Sequence, residues 1–273
     1  MLKLEEKIVM YGSIKARRTL NPKYMTPYHE QAQWTEYTEL KEIIGEIYKT
    51  LEHPLKIFDI GIGYSRIPVL LSAVDTWKKI ARYVGIDISK HCVMQSKEII
   101  NSKGIADKVE IILFDAVNLN VEMDAPFLKD RYDLIVCTYF TAGDFKPKQI
   151  QLRTGKNGQI INYDLNLLKP NKDFVAVFKG AFDLLSDDGK IVLGSVYCDS
   201  ELARKVQEKF YRKCGMTVIT SHKDPFTATK EGFWSERFCE EKIYEYLSWI
   251  ACDKIELVPL DDYNFATMVI ISK

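Results

Sequence analysis

A chain of 273 residues, 47 % hydrophobic and 28 % charged, is long enough to bury a sizeable core as one large domain or one domain with an appendage. Its 38 Lys+Arg balance 38 Asp+Glu, and a net charge of zero argues against a broad basic surface for nucleic acid, though not against a local patch. The longest apolar runs fall short of the roughly 20 residues that cross a bilayer, and Glu5, Glu6 and Lys7 interrupt any signal-peptide core at the N-terminus, so a cytoplasmic protein is expected.

Residues 1–27 are irregular and basic, with Lys15, Arg17, Arg18 and Lys23 punctuated by Pro22 and Pro27. From Tyr28 to Leu51 the acids recur, while Leu40, Ile43, Ile44, Ile47 and Leu51 repeat at helical spacing; this predicts an amphipathic helix ending near His53-Pro54. A strand follows over 56–60, then a helix over about 65–79, a strand over Tyr83 to Ile88 and a helix over about 90–103 closed by Gly104. Strands are expected at Val109 to Phe114 and Tyr132 to Tyr139. The polar stretch 143–170 is too long for a bare connection and reads as a lid or binding loop. A helix over 172–185 ends at Asp187-Asp188-Gly189, and a fifth strand spans Lys190 to Tyr197. Residues 200–214 read as helix, Met216 to Thr220 as a short strand, and 236–250 as helix. Ile255 to Pro259 and Ala266 to Ser272 form a closing hairpin.

Alternating strands and helices imply a parallel sheet with right-handed crossovers, and a closing hairpin adds a reversed strand. The expected fold is α/β: a seven-stranded, mostly parallel sheet with one antiparallel strand, helices on both faces and an N-terminal helical extension. The expected division is an extension or lid over 1–54 and a binding domain over 55–273, with insertions near 143–170 and 199–235. Six scattered cysteines without a CxxC pair are expected to be reduced core residues, and no metal site is foreseen.

The stretch Lys56 to Arg66, KIFDIGIGYSR, organises the chain. Ile57 to Ile60 suits a strand buried on both faces, and Gly61 and Gly63 allow a tight turn with close backbone approach to a ligand. The same glycines also suit a plain strand-to-helix turn. A dinucleotide fingerprint would need a third glycine where Arg66 stands, and a phosphate loop would need G-K-[ST]; neither is present. Asp59 would repel a pyrophosphate but accepts hydrogen bonds from a cationic amino group. Asp87, at the end of the second strand, is placed to accept two ribose hydroxyls, and Asp115, followed by Ala116 at the end of the third, to accept from an exocyclic amine. Three acids at three successive strand ends describe one ligand: amino acid, ribose, adenine.

This pattern resembles the class I S-adenosylmethionine-dependent methyltransferases. Asp59, Gly61 and Gly63 match the family's first motif, with Ser65 where a third glycine usually sits. Asp87 and Asp115 match its ribose- and adenine-binding acids, and Tyr132-Asp133 its fourth motif. The resemblance covers about 55–198 and the closing hairpin. It implies S-adenosylmethionine as cofactor, bound by Asp59, Gly61, Gly63, Asp87, Asp115 and Ala116. Arg66 is a candidate for the ligand carboxylate or a plain helix-surface residue.

Methyl transfer from a sulfonium needs alignment and water exclusion more than acid–base help. The chain lacks the Asn/Asp-Pro-Pro-aromatic motif of amino-methylating nucleic-acid enzymes, which lowers base methylation. Tyr139, at the end of the fourth strand, is expected in the pocket, and Tyr28 and His29 to approach the methyl donor from an N-terminal lid. Tyr24 and Trp34 accompany them, unless these aromatics only pack that helix on the sheet. Phe226, Phe233 and Trp234 have lid composition and equally suit packing on the last helix. His29 and His222 are candidate general bases, and Lys146, Lys148, Arg153 and Lys156 either receive an anionic substrate or, as charge runs more often do, belong to a solvated loop. The expected reaction is N- or O-methylation of a small molecule, with no membrane partner and nucleic acid disfavoured. The alternatives are a protein or RNA acceptor, a non-catalytic cofactor-binding partner subunit, and a nicotinamide dehydrogenase, the last disfavoured by Asp59 and Arg66.

Overall fold

The computed structural model describes residues 13–121, 124–147, 153–154, 160–162, 166, 168–221 and 224–273, with backbone alone at 153–154 and 160–162. His222, Lys148, Lys156 and the Arg153 side chain lie outside the described residues.

After a single helical turn, α1 (Ile14–Arg17), the chain enters the long helix α2 (Pro27–Leu51). Thr26 caps it, Pro27 takes the first-turn position that needs no N–H, and Glu52 closes it in the left-handed conformation. His29, Ala32, Glu36, Leu40, Ile43 and Ile47 recur at three- or four-residue intervals and form its buried stripe. Each buried Leu or Ile contributes about 1.5–3 kcal/mol.

The main sheet contains β1 (Leu55–Ile60), β2 (Ile80–Asp87), β3 (Val109–Leu113), β4 (Tyr132–Cys137), β7 (Leu185–Tyr197), β10 (Ile255–Pro259) and β11 (Ala266–Ser272). Two small antiparallel pairs stand apart: β5 (Arg153–Thr154) with β6 (Ile160–Asn162), and β8 (Phe226–Ala228) with β9 (Trp234–Glu236). The strand order is β10-β11-β7-β4-β1-β2-β3, and β11 runs antiparallel to both neighbours. The helices are α3 (Arg66–Ser72), α4 (Lys90–Ser102), α5 (Lys172–Asp183), α6 (Glu201–Lys213) and α7 (Glu240–Tyr246). Alternation along β1 sends Leu55 and Ile57 into a core shared with α2, α3 and α4, and Phe58 and Ile60 into one shared with α5 and α7. Both faces of the sheet are therefore covered, as a parallel sheet requires. Four buried cysteines and two exposed ones are all unpaired.

Beyond shifts of a few residues at strand ends, such as the fourth strand closing at Cys137 and not Tyr139, the structure differs from the sequence expectations as follows. The helix expected to Lys79 stops at Ser72, where Ser72, Val74, Asp75 and Thr76 are weak helix formers, and resumes as a 3-10 turn over Asp75–Lys79. The fifth strand begins at Leu185: Tyr132 pairs with Leu185 and Leu134 with Lys190, so the Asp187-Asp188-Gly189 turn loops out between two pairs. Met216 to Thr220 is not a strand but a single bridge, Val218 to Thr229. The helix expected over 236–250 shrinks to α7 because β9 and a Cys198–Phe238 bridge take the residues before it.

Candidate functional site

At the C-terminal edge of the sheet, the amides of Gly61 and Ile62 both donate to the Ile86 carbonyl, at 2.9 and 3.0 Å, and pin the turn after β1 to the end of β2. Gly61 has a φ of +76°, and a Cβ there would lie 2.4 Å from Thr141 Cγ2. Neither the conformation nor the space admits a side chain. Ser65, standing in the third-glycine place, also adopts a left-handed φ of 57° and is fully buried. Such strain in a non-glycine residue is characteristic of ligand-clamping turns.

Three acids surround this turn. Asp59 lies beneath it, outside the cavity wall; its Oδ2 accepts from the Tyr83 hydroxyl at 2.6 Å, and its buried Oδ1 has no hydrogen-bond partner. Burial pushes its carboxyl up to about 7. Asp87 accepts from the Gly63 amide at 3.0 Å and the Ser89 amide at 2.7 Å, bracing the turn against the start of α4. Burial raises its carboxyl to about 6, against the lowering effect of those two bonds. Asp115 caps a 3-10 turn over Ala116–Asn118, accepting from the Val117 amide at 3.2 Å.

Arg66, the first residue of α3, is ion-paired with Glu36 and lies 5.6 Å from the centre of the Tyr139 ring. Glu36 is fully buried on α2, and its other oxygen accepts from the Tyr139 amide at 2.9 Å and from the amide and hydroxyl of Ser195. A Cβ on Gly194 would fall 2.3 Å from that oxygen, so a glycine makes the approach possible. One carboxylate thus ties α2 to the ends of β4 and β7 and to the arginine at the site. In the sequence Glu36 is only one of several recurring helix acids. The available signal was its place on the stripe 29, 32, 36, 40, 43, 47, where an acid needs a buried partner.

Gly61, Gly63, Arg66, Asp87, Asp115 and Ala116 line one cavity of about 1150 Å³, and Tyr139 lines it too. Tyr139 and Phe140 have consecutive left-handed φ values of 53° and 61°, and the Tyr139 hydroxyl donates to the Thr19 carbonyl at 3.1 Å. The far wall includes Tyr197, Phe210, Tyr211, Phe233 and Trp234. From the N-terminal segment the wall takes Leu20, Met25 and Gln33; Tyr24, Tyr28, His29 and Trp34 are not part of it. Trp34 is 67 % exposed. Tyr28 packs on Tyr263 and Phe265. His29 is sealed between the Thr26 and Tyr197 hydroxyls, at 2.7 and 2.8 Å, and burial, then the charge of Lys213, lowers its pKa to about 3. Phe226 stacks on Trp234 in the core behind the wall. Among the described residues no cluster suited to a metal ion is present, and no helix is long and apolar enough to cross a membrane.

A seven-stranded sheet of this order, with a glycine turn and strand-end acids around a cavity at its carboxyl edge, is the Rossmann-like methyltransferase architecture. The family model for the methyltransferase domain matches residues 51–247, and the chain belongs to that family. It is an S-adenosylmethionine-dependent methyltransferase. An S-adenosylmethionine-dependent methyltransferase from Clostridium acetobutylicum ATCC 824 shares the fold at a TM-score of 0.55 and 12 % identity, over 86 % of this chain and 91 % of that one. The Burkholderia thailandensis 1,6-didemethyltoxoflavin-N1-methyltransferase, solved with 1,6-didemethyltoxoflavin and S-adenosylhomocysteine, shares it at 0.50 and 12 %, over 100 % and 91 %. The CcbJ methyltransferase from Streptomyces caelestis does so at 0.51 and 11 %, over 84 % and 87 %. No curated protein matches the chain in sequence. The residues present fit the cofactor: the Asp59 carboxylate has an unsatisfied buried oxygen beneath the turn, the Gly61 position is closed to a side chain, and the cavity is of ample size.

Proposed function

We propose that the chain methylates a small-molecule acceptor, at nitrogen or oxygen, held at the aromatic end of the cavity. The carrying observation is that one continuous cavity runs from the glycine turn to Phe210, Phe233 and Trp234. A pocket for one drug-sized ligand occupies about 300–1,000 Å³, and about 1150 Å³ leaves room for the donor and a second small molecule. When bound, S-adenosylmethionine supplies an electrophilic methyl group on a sulfonium that departs as a neutral thioether.

The protein's part is to bind and align. Asp87 receives the ribose hydroxyls, and Asp115 with Ala116 the adenine edge. Gly61 and Gly63 allow the backbone to approach the donor, with Asp59 supplying negative charge beneath its ammonium. Arg66, balanced by Glu36, faces the donor carboxylate. Tyr139 walls the space beside the methyl group; burial raises its phenol well above the ordinary value, so it stays neutral. His29 is neutral near pH 7 and acts through Tyr197, and Tyr28 through Phe265, as positioning residues for the aromatic wall. The segment before α2 serves as the lid, through Leu20 and Met25, while α2 itself packs on the sheet, and the insertion near 199–235 shapes the acceptor end through Phe210, Tyr211, Phe233 and Trp234. Six unpaired cysteines suit the reducing cytoplasm.

Calorimetry with S-adenosylhomocysteine and NAD, followed by label transfer from methyl-labelled S-adenosylmethionine to small molecules, RNA and protein, tests this reading. The expected result is heat with S-adenosylhomocysteine alone and label in small molecules. Heat with NAD only would overturn the cofactor assignment, label confined to RNA or protein the acceptor class, and binding without any transfer the catalytic role.

A further inference from the structure

Arg66 lines the cavity just after the glycine turn, with its guanidinium carbon 5.6 Å from the centre of the Tyr139 ring. Its partner Glu36 does not line the cavity; it is fully buried behind the wall, on α2. One Glu36 oxygen takes the guanidinium, and the other accepts from the Tyr139 amide at 2.9 Å, from the Ser195 hydroxyl at 2.8 Å and from the Ser195 amide. Every partner is a donor, which holds the acid as a carboxylate. We infer that Glu36 is a positioning residue that acts through Arg66: by cancelling the guanidinium charge it lets the site prefer the charged donor, S-adenosylmethionine, over the spent one, S-adenosylhomocysteine. This rests on the donor placement proposed above, with Arg66 facing the donor carboxylate, and adds to it a control of donor against product.

The two ligands differ by one methyl group and one charge. Both carry the same ammonium, carboxylate, ribose and adenine, so contacts to those groups hold them alike. The field at the sulfur tells them apart. An arginine that binds the carboxylate brings a positive charge to the methionine end, where it also repels a sulfonium. Two like charges ~10 Å apart, at an effective dielectric of about 20, shift an equilibrium on the order of tenfold. Left alone, Arg66 would therefore favour the product that the protein has to release.

The opposition of the two charges is felt on both sides of the glycine turn. Burial raises the Asp59 carboxyl beneath the turn and the Tyr139 phenol in the wall; on top of that, Arg66 pulls each down and Glu36 pushes each up. The arrangement also costs something to build. A carboxylate without exposure needs all its donors, and Gly194 has to lack a side chain for Glu36 to reach Ser195. Asp87 and Asp115 lie toward the ribose and adenine, which both ligands share, so their charges drop out of a comparison between variants.

Calorimetry tests this with three ligands: S-adenosylmethionine, S-adenosylhomocysteine and sinefungin, which carries an amine-bearing carbon in place of the methylated sulfur. Each is titrated into the full chain and into Glu36→Gln, Arg66→Met and the double variant. Gln keeps the shape and still accepts from the Tyr139 and Ser195 amides, but carries no charge. In Glu36→Gln the ratio of the S-adenosylmethionine Kd to the S-adenosylhomocysteine Kd should rise about tenfold, with sinefungin following the methylated ligand. Arg66→Met should weaken all three ligands through the shared carboxylate yet move the ratio the opposite way, because Tyr139 and Ser195 keep Glu36 charged. The double variant should return the ratio to near the parent value. A pair that only docked α2 on the sheet would weaken all ligands equally. An unchanged ratio in Glu36→Gln, a shift of the same sign in both single variants, or sinefungin tracking S-adenosylhomocysteine would overturn the inference. If Glu36→Gln fails to fold, Arg66→Met decides: a ratio moved toward the methylated donor upholds it and an unmoved ratio overturns it. A parent chain that binds none of the three would instead strike the methyltransferase site itself.

Discussion

Asp87 and Asp59 hold their carboxyls at about 6 and about 7, each raised by burial. An unfolded aspartate titrates near 3.9, so between roughly pH 4 and pH 7 the folded chain holds protons that the unfolded chain has released. Their contribution to stability is therefore greatest at low pH and is lost as pH rises through the folded values. A ligand that offers hydroxyls to Asp87 and an ammonium to Asp59 favours the charged carboxylates and expels those protons. S-adenosylhomocysteine should accordingly bind more tightly as pH rises from about 5 to about 8, with net proton release measurable by calorimetry in two buffers of different ionisation enthalpy. A flat affinity with no proton release would refute the coupling. Asp87→Asn should flatten part of the pH dependence and weaken binding by about 1.5–3 kcal/mol, the usual worth of a hydrogen bond to a charged group.

The elements that the sequence disclosed best were those whose pattern matched one structural period. The stripe of α2, the strand β1 with its glycine turn, and the closing hairpin all declared themselves through local spacing. Residues 216–220 and 236–250 did not, because their conformation is decided by partners far along the chain: Thr229 for Val218, and Cys198 for Phe238. The site divides the same way. Its glycine turn and strand-end acids carry a local signature, whereas Glu36 gains meaning only once α2 is packed against the ends of β4 and β7. Glu36 shows the energetic side of this. Its carboxylate serves Arg66, Tyr139 and Ser195, and truncating one member of a buried charged pair costs about 3–5 kcal/mol. Glu36→Ala should therefore lower the melting temperature by roughly 6–20 °C, at about 2–4 °C per kcal/mol for a chain of this size. Scanning calorimetry reads this directly, and an unchanged melting temperature would show that the ion pair is dispensable.

At the scale of the whole molecule, the two-faced packing of the sheet sets chemical accessibility. Cys92, Cys137, Cys198 and Cys214 are buried, and burial pushes every one of their thiols up, to about 12 at Cys92 and Cys198 and about 11 at Cys214. Cys239 and Cys252 are exposed. A thiol-specific dye should react rapidly with two groups in the native protein and with all six after denaturation; fast reaction of four or more would contradict the packing. The bond from Glu36 to Ser195 spans 159 residues, and this has a bearing on how the molecule is born. α2 leaves the ribosome well before β7 has been translated. Until then Glu36 has no serine to accept from, and its carboxylate belongs in water. The anchoring of α2 beneath the donor pocket is thus a late event, completed only when β7 slots in.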